Sequence, residues 1–282
     1  MPRTASIDAL VTLLDDPDAA VQAAVREELA TCGPDDLAAL RRHIRSLGEA
    51  EQDALMDRIQ PLHFDMVQRA WHAVLDSDTP DLERGALLLA WYRYPDADLH
   101  GCQEQLDAMA ASFQNAHPGL SGHRAAMELA DYMAHELHFT GNKDDYKDPD
   151  NSFLNRVLKR RTGIPISLSV VYLLLAERAG IKAYGVNLPR HFIVKYQDDQ
   201  HEIFFDPFND GQPMDRGDCV RFLLKANVQP HPQHFAPAPP RSILLRMARN
   251  LLMWAKQHDN IQMQSELMQL MAPYDPSIEA SE

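Results

Sequence analysis

The stretch over residues 167–179 constrains this chain more than any other. Leu168, Val170, Val171, Tyr172, Leu173, Leu174, Leu175 and Ala176 leave it almost no polar face, and Gly180 supplies a helix stop. A helix that is apolar all round has to be enclosed by other layers. Only Glu177 and Arg178, at its end, signal an approach to solvent. Strand signals take over at once, in β-branched and aromatic runs over 183–186, 192–196 and 203–205, with Gln197, Asp198, Asp199 and Gln200 as a hairpin turn. The expected core is therefore one buried helix followed by an antiparallel sheet, in an α+β chain.

Everything before that core reads as helix. Apolar residues recur at helical spacing through Ile7, Leu10, Val11 and Leu14, then Val21, Ala24, Val25 and Leu29, then Leu37, Leu40 and Ile44. The breaks around Asp15 to Asp18 and Gly33 to Asp36 supply acids and prolines suited to helix starts. Short helices punctuated in this way look like a HEAT-type pair, which cannot bury its own face and must dock on the rest of the chain. Further helices are expected over 50–58, 64–75, 82–91, 102–113 and 122–137. A polar loop over 141–150 and a short helix over 152–158 lead into the core. The segment 230–240 holds five prolines and reads as a linker, neither regular helix nor central strand. A final helical hairpin over 243–257 and 261–271 resembles an incomplete tetratricopeptide-type end. The expected organisation is a helical region at 1–140, a core at 141–229 and a C-terminal hairpin at 241–282.

Charge narrows the function classes. A formal net charge of −14 repels a phosphate backbone, so nucleic acid is not an expected partner. The basic run Lys159, Arg160 and Arg161 beside Arg156 reads as a solvated helix face. Cys32, Cys102 and Cys219 are odd in number and widely spaced, which fits neither a zinc pattern nor a disulfide framework and points to a reducing compartment. The first residues lack the apolar run of a signal peptide, and no stretch approaches the ~18 apolar residues of a membrane span. A cytoplasmic protein with no membrane association is expected. No glycine-rich phosphate loop occurs, and His135 and His138 lack the spacing of a zinc helix. Asp144, Asp145, Asp148 and Asp150 lack the glycine and glutamate of a calcium loop. Neither a metal nor a cofactor is expected.

The residues able to carry chemistry lie in the sheet. His191 opens one expected strand and Asp206 closes the next, so a hairpin would bring imidazole and carboxylate together. Such a carboxylate fixes the ring's tautomer and leaves the other nitrogen free to take a proton. A structural histidine beside a turn aspartate is the alternative.

Four ordered motifs give this pair a context: residues 148–158 (DPDNSFLNRVL), 163–169 (GIPISLS), 185–192 (GVNLPRHF) and 206–208 (DPF). Together they resemble the bacterial SirB-type branch of the transglutaminase-like superfamily. The resemblance implies a papain-like core of buried helix and antiparallel sheet, with the helical half packed on it. Catalytic relatives in that superfamily carry a cysteine at the start of the core helix, where the macrodipole and the imidazole lower its pKa. Counting back from Gly180 puts that position near Pro165 here, and Ser167 and Ser169 are the nearest hydroxyls. Ser167 stands either as a serine nucleophile served by His191 or as a first-turn cap of the core helix. Asn151, Asn155 and Arg156 would share one face of the short helix and line the same cleft, or serve as a cap and a surface ion pair. The leading functional reading is a regulatory or accessory protein, without thiol chemistry, that binds a protein or peptide in the cleft beside His191. The rival is an amide hydrolase or transferase using Ser167 or an activated water, with His191 as base and Asp206 as its orienter. A helical adaptor working through the N-terminal half is a third.

Overall fold

The computed structural model describes residues 9, 13, 16–29 and 49–275. Cys32, the helix expected around Leu37 to Ile44 and most of the HEAT-like pair lie outside the described residues. The helical part comprises α1 (Ala19–Leu29), α2 (Glu49–Leu75), α3 (Leu82–Arg93), α4 (Leu99–Ala116) and α5 (Gly122–Asp131). Then follow β1 (Thr140–Gly141), α6 (Leu154–Arg160), β2 (Thr162–Gly163) and α7 (Pro165–Arg178). The sheet is built from β3 (Ala183–Val186), β4 (Ile193–Gln197), β5 (Glu202–Asp206), β6 (Gln212–Met214) and, beyond α8 (Arg216–Lys225), β7 (Pro237–Ala238). The helices α9 (Pro240–Gln257) and α10 (Ile261–Met271) close the described chain. The fold class is α+β.

Local chemistry sets several of these boundaries. Asp81, Asp98 and Asn260 each accept a first-turn amide, from Arg84, Gly101 and Met263 at 2.9, 2.8 and 3.1 Å. Two expected helices, 50–58 and 64–75, prove to be the single α2, which runs through Pro61. A proline removes one helical hydrogen bond, and here packing outweighs that loss. Val67, Trp71 and Leu75 are fully buried beyond it, and Trp71 Nε1 donates to Leu270 O at 3.0 Å. The helix expected over 122–137 also differs. Its α-form stops at Asp131 and the backbone widens into a π turn over Tyr132–Glu136, closed by Leu137 N–H on Tyr132 O at 2.9 Å.

The enclosure that α7 demands is present. Every residue from Pro165 to Ala176 is buried. Tyr172 stacks on Phe205 of β5, with centroids 5.9 Å apart, and its hydroxyl donates to Ala126 O of α5 at 2.7 Å. At the helix end Arg178 reaches Glu83 of α3 at 2.7 Å and Asp107 of α4 at 2.6 Å, tying the core to the helical half. The sheet is antiparallel throughout, in the order β6-β5-β4-β3-β7. Alternation along β4 sends Val194 and Tyr196 toward the α7 side, while Ile193 joins Val186, Leu188, Phe204, Cys219, Leu223 and Phe235 in a second apolar cluster under α8. The sheet is thus covered on both faces.

Three elements of this sheet layer are absent from the sequence expectations: β6, α8 and β7. Both edge strands contain a proline, Pro213 in β6 and Pro237 in β7, which restricts such segments to edges. The proline-rich segment after α8 therefore carries a two-residue edge strand, and it ends in α9 with Pro240 at the first helical position. No helix among the described residues is long and apolar enough to cross a membrane.

Candidate functional site

The hairpin of β4 and β5 sets the first part of the site. Their register pairs Val194 with Phe205, which brings the residues before β4 alongside the end of β5. His191 is delivered by a turn in which its N–H reaches Leu188 O at 3.1 Å while Arg190 takes a left-handed φ of 65°. His191 Nε2 lies 2.8 Å from Asp206 Oδ2, and both side chains are buried.

Asp206 is held by more than the imidazole. Asn209 Nδ2 donates to Oδ2 at 2.8 Å and Phe208 N–H to Oδ1 at 3.1 Å. Burial works to raise the pKa of this carboxyl, but the hydrogen bond and charge of His191, with the Asn209 and Phe208 donors, bring it below the usual carboxylate value. An ionised carboxylate only accepts, so the shared proton resides on Nε2 and Nδ1 of a neutral ring keeps its lone pair. Nδ1 takes no hydrogen-bond partner among the described residues. Phe222 and Phe208 flank the ring, with centroids at 5.2 and 6.3 Å, and Phe208 in turn meets Tyr146 edge-on at 5.8 Å. Gly141 makes room for this row, since a Cβ there would stand 2.5 Å from Phe208 O.

The start of α7 is built differently. Ser167 Oγ lies 2.6 Å from Asn151 O and 3.1 Å from Ile164 O, and it accepts the Ile164 N–H at 3.1 Å. Its one hydrogen is directed to the Asn151 carbonyl, in a side chain only 1% exposed. Gly163 lets the chain close over that hydroxyl, for a Cβ would meet Ser167 Oγ at 2.6 Å. Asn151 is fully buried: Nδ2 donates to Asp145 O at 2.8 Å and Oδ1 accepts from Asn142 Nδ2 at 3.0 Å.

The shared helical face expected for Asn151, Asn155 and Arg156 does not form. Asn151 sits in a 3-10 turn, Pro149–Ser152, and Phe153 in extended conformation separates it from α6. Nor does Asn151 cap a helix; Asp148 caps the 3-10 turn through Asp150 N–H at 2.9 Å. Arg156 Nε pairs with Asp150 Oδ2 at 2.8 Å, its guanidinium over the Tyr94 ring, and Tyr94 OH donates to the same carboxylate. Arg160 joins through Asp148 at 2.6 Å. Asn155 Oδ1 is buried without a hydrogen-bond partner.

Neither described cysteine is prepared for nucleophilic work. Burial and the nearby Asp98 push the Cys102 thiol up to about 11. Burial, with Asp218, Asp215 and Glu202, pushes that of Cys219 up to about 12.

A cleft of about 210 Å³ opens where α9 crosses the start of the core helix. Tyr146, Pro149, Ser152, Ile164, Met253 and Trp254 line it. Ile164 is the residue immediately before α7, so the cleft lies at that helix's mouth. At its rim Tyr146 and Met253 are 51% and 59% exposed, unusual for residues of that size. About two turns earlier on α9, Arg246 bonds to Asn187 Oδ1 and to Leu188 O at 3.0 Å, both neutral acceptors, and lies over the Phe192 ring. The sequence reading missed Tyr146, Phe208, Arg246, Met253 and Trp254. The one available signal was Met253-Trp254 within an otherwise amphipathic helix.

Comparison with known proteins gives a consistent set of similarities. A model of the transglutaminase-like superfamily matches residues 100–249. The chain is similar to a UPF0162 protein of Xylella fastidiosa strain 9a5c, 36% identical over 191 residues that cover 64% of this chain and 66% of the relative. It is also similar to a UPF0162 protein of Vibrio cholerae, 29% identical over 136 residues, covering 48% of this chain and 50% of that one. F-box only protein 21 of Homo sapiens is 31% identical over 139 residues, 46% of this chain and 22% of the human protein. The chain thus spans just under two thirds of its Xylella relative's length. No solved structure matches.

Proposed function

This chain belongs to the transglutaminase-like superfamily, and from that premise we propose that it is a regulatory or accessory protein that captures a partner peptide in the cleft at the mouth of its core helix. The observation that carries the reading is the cleft itself, which combines apolar Pro149, Ile164 and Trp254 with polar Lys147, Asp148, Asn250 and Gln257, has exposed Tyr146 and Met253 at its rim, and is not lined by His191. In this reading the position of the catalytic relatives' cysteine, counted back from Gly180, falls near Pro165. Among the described residues, the engaged hydroxyl of Ser167 and the raised thiols of Cys102 and Cys219 support an absence of thiol or serine chemistry.

The lining describes the occupant. Tyr146, Met253 and Trp254 suit an apolar side chain. Arg246, which lies outside the lining on the same helix and holds only neutral acceptors, suits a carboxylate further along the same peptide. The match to about a fifth of the human F-box only protein 21 fits a module that works joined to other parts. Trp254 offers the readout. Peptides selected from a displayed library should carry an apolar residue with an acidic one further along and should alter Trp254 fluorescence. Met253→Asp and Arg246→Gln should each weaken capture by roughly tenfold or more, while His191→Ala leaves it within about threefold. Turnover of an amide substrate that disappears with His191→Ala would overturn the binding reading.

A second reading has one observation in its favour, the lone pair left on His191 Nδ1 beside Phe208. In that reading the ring activates water and Asp206 orients it. A fluorophosphonate probe separates the serine version, since labelling at Ser167 requires its hydroxyl to leave Asn151 O.

A further inference from the structure

The hairpin turn that joins β4 to β5 carries a second group of polar side chains, remote in sequence from the cleft. His123 in the first turn of α5 stacks face to face on His201, with ring centroids 3.9 Å apart and planes inclined by 22°. Asp198 lies beside them, its carboxylate oxygens 3.1 and 3.3 Å from His201 Nδ1. One ligand atom from each of the three residues falls within 4.8 Å of the others. The geometry points to a binding site for a first-row transition-metal ion of the zinc class, with His123, His201 and Asp198 as ligands.

The distances suit such an ion. A tetrahedral zinc with bonds of about 2.0–2.1 Å holds its ligand atoms about 3.3–3.4 Å apart. The His201 Nδ1 to Asp198 Oδ2 separation of 3.3 Å already has that length. His123 is stacked nearly parallel to His201, so its in-plane lone pair would reach the ion only after the side chain turns out of the stack, a movement its partial exposure allows. Imidazole nitrogen with one carboxylate oxygen is a donor set for zinc, nickel or copper rather than for calcium or magnesium.

The carboxylate is also prepared for the role. Oδ1 accepts the N–H groups of Gln200 and His201 at 2.8 and 2.7 Å, which fix its plane, while the Tyr196 hydroxyl donates to Oδ2 at 2.8 Å. Oδ2 keeps a lone pair for a metal, oriented by that hydroxyl. One contribution opposes the ion, the positive end of α5's dipole near His123. The full negative charge of Asp198, with Asp199 beside it in the turn, works the other way. The remaining coordination positions are open to water or to a side chain from another molecule. A bound ion would clamp the hairpin turn to α5, two elements otherwise joined here through Tyr196 and the stacked rings.

The test uses the full chain, free of any histidine tag and stripped with a chelator, titrated with Zn²⁺ and with Co²⁺ as a spectroscopic probe. The expected result is one equivalent bound, a rise in melting temperature, and the visible absorption of four-coordinate Co²⁺. His123→Ala and His201→Ala should each lower Zn²⁺ affinity by roughly tenfold or more, with circular dichroism unchanged. Asp198→Asn should weaken binding as well. His231→Ala serves as control, because His231 and His234 form another close imidazole pair, with centroids 6.2 Å apart. Retention of Zn²⁺ binding in the His123→Ala, His201→Ala double variant, loss in the control, or no binding by the unaltered chain would each overturn the assignment.

Discussion

Two corners of one buried core, the start of α7 and the end of the β4–β5 hairpin, hold their polar groups in opposite ways. At the helix start Ser167, Ile164, Asn151, Asn142 and Asp145 form a closed set in which the hydroxyl and both side-chain amides are engaged. At the hairpin end His191 and Asp206 form an equally short bond, yet one ring nitrogen is left over. The first arrangement can only hold the fold; the second holds the fold and retains capacity for a proton. A hydroxyl at the start of the core helix is therefore not a ready nucleophile unless its hydrogen is free.

The most severe way to strain this contrast is Asn151→Leu. It puts an apolar side chain at the fully buried Asn151 position and removes its part-buried bonds to the Asp145 carbonyl and the Asn142 amide, so urea unfolding should show a loss of about 3 kcal/mol, with little dependence on pH. Asp206→Asn should cost less, about 2 kcal/mol near neutrality, and should behave differently with pH. The folded pKa of Asp206 lies below its unfolded value, near about 3.9, so its stabilising share is complete above that pH. That share fades as the pH falls through the lower folded value. The variant should therefore show a shallower acid limb below about pH 4 than the unaltered chain. A limb of equal steepness in both proteins would erase the distinction between the two corners.

A smaller effect is expected of Ser167→Ala, about 1 kcal/mol from the lost cap. Any catalytic activity should be untouched by it, and a selective loss of turnover would move chemistry to the helix side. The smallest change concerns the thiols. In a Cys32→Ser background, iodoacetamide at pH 8 should leave Cys102 and Cys219 unlabelled until the protein unfolds, since with pKa values of about 11 and 12 the thiolate is on the order of one part in a thousand or less.

Much of the sheet layer was legible because its signals are local. The strand over Ala183–Val186 and the turn over residues 197–200 follow from residue type and polarity alone, and the enclosure of α7 follows from its missing polar face. The helix α8 was missed because Gly217 interrupts its first turn, although Asp215 and Asp218 form a reciprocal cap that the sequence does display. The fusion of two expected helices across Pro61 reflects burial of Trp71 against α10, nearly two hundred residues away, which no local pattern records. The same distance effect hid parts of the site. Tyr94 meets Asp150, Asn151 meets Ser167, and Arg246 meets Asn187 only after the helices have packed. The HEAT-like beginning is described only through α1.

The prolines at the two rims of the sheet set a limit on what this molecule can become. An edge strand ordinarily offers a row of amide hydrogens on which another chain can crystallise into a shared ribbon, the first step toward fibrils. Pro213 on one rim and Pro237 on the other have no such hydrogen, and the strands that carry them are three and two residues long. Growth by strand addition thus meets a gap on either side, so a chain with a wholly apolar central helix and a sheet to match can be crowded against its own copies without being templated by them.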